Sequence, residues 1–451
     1  MSDGAPAEDA ERQLEVSERP VLPEGWTQHR LGEIASFKNG LNFTRSDCGE
    51  AIKIVGVSDF KDRSQLDDTG GLATIRVSEM VRDGELLEAG DLLFVRSNGN
   101  RELIGRCLYF PRVEERLAFS GFTIRGRFDR ALIDPQYASY LMRSELVTSQ
   151  IFLGGSGTNI SNLSQEILAG VSVQIPGLIE QGSIALVLAT WDAAISAHQA
   201  LLANRRSQWQ AVLLLTTHLP AANPVANGTL DNGGYPASVQ AGIPNLPQTP
   251  DGWRRISLGR HLTEVRRPAT LIPSNSYRLV TVKRSRGGVE LRETLTGSEI
   301  KTPTQFYVRT GDFLISKRQI VHGACGIVPA ELDGAVVSNE YAVLNSDGQI
   351  DLRFLRYLSE SRYFQQTCFH SSIGVHVEKM IFKTERWLKW PFNIPPLPVQ
   401  LRIVEVLDTA RREVEIIAAQ IERLKREKAA LMADLLTGKR RVRLPAAETT
   451  P

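Results

Sequence analysis

The sequence predicts an α+β protein in which two similar, mixed but mostly β domains are joined by two long helices that pack against each other. Three features of the 451-residue chain support this fold class. The first half recurs, in the same order, about 220 residues later. Each copy begins with short β-branched and aromatic runs separated by turn residues. Each copy ends with apolar residues at alternating spacings of four and three, which is typical of paired helices.

The repeat is visible in local motifs. The segment Pro23–Gly32 (PEGWTQHRLG) returns as Pro250–Gly259 (PDGWRRISLG). Further matching pairs follow in order: Gly90–Leu93 with Gly311–Leu314, Gly105–Pro111 with Gly323–Pro329, and Ile175–Leu188 with Ile394–Leu407. The separation drifts by only a few residues, as expected for two copies of one domain whose surface loops differ in length. Two similar domains suggest two similar ligands.

Composition and charge narrow the class of protein. Lys and Arg number 53 and Asp and Glu 51, so the formal net charge is only +2 and any basic surface must be local. The four cysteines have no CxxC spacing, which argues against a zinc ribbon and a disulfide framework; Cys107 and Cys325 are expected to be buried thiols in a reducing cytosol. We find no apolar run of the roughly 18 residues that a membrane span needs, and we expect a cytoplasmic protein without membrane contact.

The first part of each copy is predicted to be strand-rich because short apolar runs alternate with Gly, Asp and Asn turns. The predicted strands are Lys53–Ser58, Asp91–Arg96, Leu108–Phe110 and Phe122–Phe128 in the first copy, and Arg278–Lys283, Phe306–Arg309, Phe313–Lys317 and Ala335–Leu344 in the second. One helix per copy is predicted next, over Pro135–Ile151 and Leu352–Thr367.

The second part of each copy predicts a long helix. From Ile403 to Leu435 the residues at alternating spacings of four and three are all apolar except Lys428. We call these positions the seam of the helix, and the same seam runs less regularly from Ile184 to Thr216. A helix of that length, on the order of 50 Å, cannot hide its apolar stripe alone, so we predict that the two helices pair. The predicted pairing residues are Leu188, Trp191, Ile195, Leu202, Trp209, Leu407, Val414, Ile417, Ile421, Leu424 and Leu431.

These patterns divide the chain into seven segments: a disordered lead-in (1–21), a first β-rich domain (22–174), a first helical spacer (175–219), an extended connector (220–249), a second β-rich domain (250–393), a second helical spacer (394–442) and a tail (443–451). No catalytic constellation accompanies them. The Gly438-Lys439 pair lacks the rest of a P-loop, and no HxxxH pattern occurs. The sequence therefore predicts no catalytic residue, metal site or cofactor.

With catalytic motifs missing, the remaining pattern in the sequence is one of residues suited to binding nucleic acid. Long or planar hydrogen-bond donors cluster where predicted strands end, and such side chains bind phosphates and base edges. The candidate DNA-binding residues are Arg96, Ser97, Asn98, Asn100, Arg101, Lys283, Arg284, Arg286, Lys317, Arg318 and Gln319, with Thr158 and Asn159 in a Gly-rich loop. The segment from Gly90 to Gly105 is longer than that from Gly311 to Gly323. The flanking strand motifs are therefore kept between the copies, while the loop between them differs in length. The competing interpretation is that these loops are charged only because water surrounds them.

The chain resembles the specificity subunit of type I restriction-modification systems over roughly residues 22–442. The resemblance is carried by the doubled PEGW/PDGW opening, by the loop-to-helix passages Gly157–Gln181 and Gly374–Gln400, and by the ending Leu424–Val442. It implies that each β-rich domain is a target-recognition domain that reads half of a bipartite double-stranded DNA site. It also implies that the helices pair antiparallel as a spacer and dock two methyltransferase subunits, and that restriction and translocase subunits join. S-adenosylmethionine, ATP and Mg²⁺ are then expected in the partner subunits and not in this chain.

Two departures from the repeat affect the expected docking. The first copy has Glu180-Gln181 at the helix start where the second has Val399-Gln400, and the second copy carries Val375–Glu378 after its loop. Both changes put equal docking of two methyltransferases in question. The alternative function is a coiled-coil adaptor of a phage-defence complex that does not read specific DNA. A hidden enzyme is disfavoured because the catalytic motifs are missing.

Overall fold

The computed structural model describes residues 22–42, 49–61, 63–77, 80–154, 162–219, 235–236 and 238–443, apart from the side chain of Arg101. The chain forms two compact units. The first takes in the chain up to Ala197 and from Gln420 onward, and the second takes in His198–Ala419. Each unit therefore contains one β-rich domain, the start of the long helix that follows this domain, and the end of the other long helix.

The first unit contains nine described strands: β1 (Thr27–Arg30), β2 (Ala35–Asn39), β3 (Glu50–Val55), β4 (Ala73–Val77), β5 (Leu92–Val95), β6 (Cys107–Tyr109), β7 (Leu117–Phe119), β8 (Thr123–Phe128) and β9 (Ser172–Ile175). Its helices are α1 (Leu31–Ile34), α2 (Pro135–Leu141), α3 (Glu145–Gly154), α4 (Gln165–Gly170) and the start of α5 (Leu178–Thr217).

The second unit contains thirteen strands within the described residues: β10 (Arg254–Ser257), β11 (Leu262–Glu264), β12 (Pro268–Ala269), β13 (Ser276–Val282), β14 (Val289–Thr296), β15 (Gln305–Tyr307), β16 (Phe313–Ser316), β17 (Cys325–Ile327), β18 (Val336–Ser338), β19 (Tyr341–Ser346), β20 (Ser372–Ile373), β21 (Ile381–Phe382) and β22 (Pro391–Ile394). Its helices are α6 (Leu352–Leu358), α7 (Arg362–His370), α8 (Thr384–Trp387) and the start of α9 (Leu397–Leu436).

The two units share one sheet plan. A four-stranded sheet has the order β2-β8-β5-β6 in the first unit and β11-β19-β16-β17 in the second. A second sheet has the order β4-β3-β7 in the first unit, and in the second unit this sheet gains two strands to become β12-β15-β18-β13-β14. In both units one strand pair of this second sheet is parallel, β3 with β7 and β13 with β18. The repeat seen in the sequence is thus a repeat of topology.

The Pro-acid-Gly-Trp opening is a tight turn. Trp26 N donates to Pro23 O at 3.0 Å, and Trp253 N donates to Pro250 O at 3.1 Å. The third residue of each turn has φ +77°, a left-handed conformation that glycine adopts without strain. The strand that follows each turn pairs antiparallel with the last strand before the long helix, β1 with β9 and β10 with β22. Each domain is therefore closed by its own first and last strands.

Three secondary-structure predictions, two helices and one strand, were wrong. Each helix predicted over Pro135–Ile151 and Leu352–Thr367 is broken into two, α2 with α3 and α6 with α7. A serine sits at each break: Ser144 Oγ donates to Leu141 O and Ser361 Oγ donates to Leu358 O, both at 2.6 Å, which competes with helix continuation. The strand predicted over Ala335–Leu344 is also two strands, because the chain changes sheets between β18 and β19.

In the first unit the two long helices run antiparallel. Glu180, near the start of α5, pairs with Arg441 beyond the end of α9, whereas Asp192 further along α5 pairs with Lys428 earlier in α9. The Lys428 ammonium is 2.6 Å from the Asp192 carboxylate and 5.1 Å from the centre of the Tyr140 ring. Lys428, the single polar residue in the predicted seam of α9, thus has a dedicated partner in α5.

The second unit shows the same antiparallel pairing. Arg205 Nε lies 3.7 Å from Glu413 Oε2, and Leu213 near the end of α5 shares a core with Ile403 and Leu407 near the start of α9. The antiparallel arrangement implied by the family resemblance is confirmed in each unit. Both helices have 40 residues, somewhat more than the seam alone predicted.

The predicted pairing residues are buried or half-buried. The buried ones are Leu188, Ile195, Leu407, Ile417 and Ile421, and the half-buried ones are Trp191, Leu202, Trp209, Val414, Leu424 and Leu431. Arg205 is the exposed member of the seam register in α5. The alternation of four and three residues therefore corresponds to the covered side of each helix.

A buried glutamine fastens the start of each long helix to its domain. Gln181 Oε1 accepts from Asp134 N at 2.8 Å, and Gln181 Nε2 donates to the carbonyls of Leu132 and Pro176. Gln400 makes the equivalent three bonds with Asp351, Gln349 and Pro395. Both glutamines are fully buried, so each hydrogen bond replaces one to water that burial removes.

The residue that precedes this glutamine differs between the copies for a structural reason. Glu180 is buried and forms a two-point ion pair with Arg441, whose Nη1 also donates to Glu24 O at 3.1 Å. The first copy's Glu180 therefore holds the segment after α9 against the first domain. Val399, its counterpart, is packed against the apolar core of the second unit.

One of the described helices, α5, is long and apolar enough to cross a membrane by length and composition. The sequence has no unbroken apolar run of about 18 residues, and α5 meets the criterion through the mean hydropathy of an 18-residue window. The criterion is weak support for a membrane span, since the core helix of a globular protein also meets it. About a third of the apolar window is buried, at 33%.

We predict that replacing Ile421 with Asp destabilises the protein by about 3 kcal/mol or more, because Ile421 is 4% exposed and a carboxylate there would be desolvated without a partner. Ile416→Asp is the matched control, since Ile416 lies on the same helix but is 57% exposed. Thermal and denaturant unfolding of the full chain measures both. Unfolding curves of Ile421→Asp that match those of the unsubstituted chain would refute the helix pairing.

Candidate nucleic-acid interface

The candidate recognition loops follow equivalent strands of the two four-stranded sheets. The loop after β5 begins at Arg96, whose backbone N donates to Phe122 O at 2.8 Å. The loop after β16 begins at Lys317, whose backbone N donates to Glu340 O at 2.8 Å. The sheet frame therefore positions both loops in the same way.

In the first unit the loop is organised by its own amides. Asn98 Oδ1 accepts from Asn100 N at 2.8 Å, and Asn100 Oδ1 accepts from Glu102 N at 3.1 Å. Arg96 and Ser97 are half-buried, and Arg96 Nη1 donates to Gly121 O at 3.4 Å. These bonds leave the side-chain NH₂ groups of both asparagines as donors toward a ligand. The side chain of Arg101 and the residues Thr158 and Asn159 lie outside the described part of the chain.

In the second unit the structure brings two predicted segments together. Arg284 Nε donates to Gln319 Oε1 at 2.8 Å, and the backbone N of Arg286 donates to Gly323 O at 2.8 Å. Ser285 and Arg286 have φ of +57° and +60°, so the backbone here is in the left-handed region. The turn 283–286 and the loop 317–323 therefore form one surface.

Every basic candidate side chain in the second unit is paired with a glutamate. The pairs are Lys283 with Glu290 (2.9 Å), Arg284 with Glu378 (2.9 Å), Arg286 with Glu360 (2.8 Å), Lys317 with Glu264 (3.1 Å) and Arg318 with Glu340. The side chains of Arg286 and Lys317 are only 12% and 18% exposed, which suits them to hold the loops. Lys283, Arg284 and Arg318 are exposed, and exposed ion pairs are easily exchanged for a phosphate or a base edge.

Sequence reasoning missed the residues that tie these loops together. His322 is buried; its Nδ1 is 2.7 Å from Ser238 Oγ in the connector and its Nε2 is 3.1 Å from Glu378 Oε1. Burial and the Arg284 charge lower the pKa of His322 and outweigh the opposing effect of Glu378. No local motif marks this cluster, because its members are far apart in the sequence.

The described residues give little support for thiol chemistry or metal binding. Cys107 and Cys325 are buried, as expected, and burial raises the pKa of the Cys107 thiol to about 12 and that of Cys325 to about 11, which disfavours a reactive thiolate. Among the residues that the structure describes, no three His, Cys, Asp or Glu side chains come together as metal ligands. The aspartates of the matching segments Gly90–Leu93 and Gly311–Leu314 have structural roles, since the buried Asp91 pairs with Arg127 and the buried Asp312 pairs with Arg267.

We predict that the second unit loses stability as the pH falls below about 6.5, because the unfolded His322 takes up a proton that the folded state resists. Unfolding curves between about pH 7.5 and pH 5.5 should show a smaller loss in His322→Gln than in the unsubstituted chain. His376→Gln, at an exposed histidine of the same unit, is the control. An equal loss in all three proteins would contradict the role of His322.

No model of a protein family matches the chain. The chain is similar to the putative type I restriction enzyme MjaX specificity subunit of Methanocaldococcus jannaschii, with 24% identity over 448 residues, covering 96% of this chain and 98% of that protein. It is also similar to the type I restriction enzyme StySPI specificity subunit of Salmonella potsdam, with 29% identity over 170 residues, covering 36% of this chain and 35% of that protein.

The fold is shared with a solved structure, the type I restriction-modification S subunit from M. genitalium. The TM-score is 0.51 at 11% identity, and the match covers 93% of this chain and 98% of that one. The similarity to the Methanocaldococcus jannaschii protein covers 96% of this chain and so reaches both β-rich domains and both long helices. The chain is thus similar over 96% of its length to one type I restriction enzyme specificity subunit and over 36% of its length to a second.

Proposed function

We propose that this chain selects the DNA sequence on which a type I restriction-modification complex acts, and that each β-rich domain reads one half of a bipartite double-stranded site. The observation that carries the proposal is that both units share the same four-stranded sheet but bear different loops on it. The same four-stranded sheet order occurs in both units, while the loop after β5 is held by asparagines and the loop after β16 by ion pairs. A conserved frame with exchanged polar loops is suited to reading two different half-sites.

The second part of the proposal is that the long helices dock two methyltransferase subunits, with restriction and translocase subunits joining the assembly. Both helices carry large apolar side chains that stay exposed after the seam is covered: Leu186, Leu201, Leu214 and Leu215 on α5, and Leu401, Val406 and Ile416 on α9. These side chains would be covered by a docked partner, since contiguous exposed apolar surface is typical of protein interfaces. Glu180 is excluded from such contacts by its burial against Arg441.

The chain itself is proposed to be non-catalytic and cytoplasmic. S-adenosylmethionine, ATP and Mg²⁺ would bind the partner subunits, where methyl transfer and DNA cleavage take place. The role of this chain is then to place those subunits at a chosen sequence.

The competing function is an adaptor that holds a defence complex together without reading specific DNA. A salt titration separates the two. Affinity is measured for random duplex DNA and for a duplex containing the site methylated in the host genome, with the methyltransferase subunits present. A reader keeps a large preference for the methylated site at every salt concentration, whereas an adaptor shows equal affinities that fall together as salt rises.

We predict that specificity is modular. Exchanging residues 22–174 for the equivalent domain of a relative should change one half of the recognised site and leave the other half unchanged, because the two domains have separate sheets and separate loops. Mapping methylated positions in the genome of a host that carries the hybrid measures this. A change in both halves would argue against independent domains.

We predict that Arg318→Ala lowers affinity for the recognised site by about tenfold to a hundredfold and relaxes selection at one base pair, if Arg318 exchanges Glu340 for a guanine. A phosphate contact would instead weaken all sequences alike and reduce the salt slope. Affinities for single-base variants at two salt concentrations distinguish these outcomes.

The control for this prediction is Arg309→Ala. Arg309 is an exposed arginine of the same unit that also pairs with an acid, Asp333, but it precedes β16 whereas Arg318 follows it. Its removal should leave affinity and selectivity unchanged. If alanine at Arg96, Asn98, Arg101, Lys317, Arg318 and Gln319 changes neither quantity, then the DNA-binding face lies elsewhere, with the 154–162 and 371–376 loops as the next candidates.

A further inference from the structure

The first unit contains a cavity of about 350 Å³ that the reading of DNA by the strand-end loops leaves unexplained. It lies between the segment that follows β3, the start of β6, and the helices α2 and α3. Its floor is apolar and includes the buried Ile104, Met142 and Ile151. A cavity of this volume is at the lower end of the range of small-molecule sites.

The cavity has a basic rim. Four basic side chains line it, Lys61, Arg63, Arg106 and Arg143, against one acidic side chain, Glu102. Within the described residues none of the four basic side chains forms an ion pair, in contrast to the glutamate-paired basic residues of the second unit. Counted over the side chains that the structure describes, the rim therefore carries an excess of positive charge next to an apolar floor, a combination that attracts an anion on an apolar body.

Two of the rim arginines are held in place by the protein. Arg143 Nε donates to Ser139 O at 2.7 Å, and its guanidinium lies 4.9 Å from the centre of the Tyr140 ring. Arg106 Nη1 donates to Lys61 O at 2.6 Å. Each guanidinium is thereby oriented while other N–H groups stay available, which lowers the entropy cost of binding a ligand.

The second copy fills the equivalent place with its own side chain. By the repeat, Arg143 corresponds to Glu360 and Arg106 to Ala324. Glu360 binds Arg286 at 2.8 Å, and Arg286 Nη1 would lie 3.5 Å from a Cβ atom placed on Gly323, the counterpart of Gly105. In the second copy, Glu360 is thus bound by the protein's own Arg286. In the first copy, Arg143 lines an open cavity instead. The charge of the site is reversed, so its ligand should be an anion.

We infer that this cavity binds a nucleoside 5′-phosphate, with the phosphate on Arg143, Arg106 and Lys61 and the base over the apolar floor. Phe152 at the rim is half-exposed and offers a ring on which a base can stack. Inorganic phosphate alone would leave the floor uncovered, and a nucleoside alone would leave the arginines without an anion. The nucleotide has two possible sources, a free nucleotide or a nucleotide of DNA held by the first unit.

The first arm of the test is calorimetric titration of 2′-deoxyadenosine 5′-monophosphate, deoxyadenosine and inorganic phosphate into the full-length chain. The monophosphate should bind more tightly than either fragment. Arg143→Glu and Arg106→Ala install the residues that the second copy carries at the equivalent positions, and thermal unfolding of both variants verifies that they fold. Arg143→Glu should weaken monophosphate binding at least tenfold, and Arg106→Ala should weaken it to a smaller extent. Arg112→Glu, at an exposed arginine of the first unit outside the cavity, should bind like the unsubstituted chain.

The second arm identifies the source by the acetylation rate of Lys61, read by mass spectrometry. Protection by the monophosphate and not by duplex DNA indicates a free nucleotide. Protection by duplex DNA that Arg143→Glu abolishes indicates a nucleotide of bound DNA. The inference is overturned if neither ligand protects Lys61, or if Arg143→Glu and Arg106→Ala bind both ligands like the unsubstituted chain. Loss of sequence selectivity alone would affect the proposed DNA reading and not this site.

Discussion

The rest of the structure depends on the covering of two long apolar stripes. The helices α5 and α9 each have 40 residues, and neither can bury its stripe alone. In each unit the start of one helix is therefore packed against the end of the other. The buried Gln181 and Gln400 fasten each helix start to the loop before α2 or α6. Helix pairing thus completes both domain cores: the first core receives Leu435 and Leu436 from the end of α9, and the second receives Leu213 from the end of α5.

Polar contacts within the pairing are unequal between the units, and this inequality can specify the register. In the first unit Lys428 of α9 binds Asp192 of α5. The residue of α5 that corresponds to Lys428 by the repeat is the apolar Trp209, which cannot form such an ion pair. A partly buried polar pair costs some desolvation, and its best attested use is to select one alignment among several. Glu180 with Arg441 adds a second such pair in the same unit. The first unit is thereby distinguished from the second even though the topology is the same.

The loops show how one frame supports different chemistry. After β5 the side-chain amides of Asn98 and Asn100 organise the backbone and keep donors free, whereas after β16 each basic side chain is held by a glutamate. The same exchange occurs away from these loops, where Arg143 lines an open cavity and its counterpart Glu360 binds Arg286. In both places the strand order is the same in the two units, while the charge of the side chains differs, and at the second place a side chain of the protein fills the site in one unit only. This is the behaviour expected of domains that must recognise different partners on the same scaffold.

The sequence by itself determined the repeat, the β-rich character of each domain, the two paired helices and the family resemblance, because these depend on local periodicity and on motifs that recur in order. It also located the strand-end loops. Only the tertiary structure decided that Ser144 and Ser361 break the helices, that Lys428 meets Asp192, and that Arg286 turns inward to Glu360. It likewise decided that His322 links the connector to Glu378. The physical reason is that a side chain's partner is set by packing between segments far apart in the chain, and a single sequence carries no direct signal of those distances.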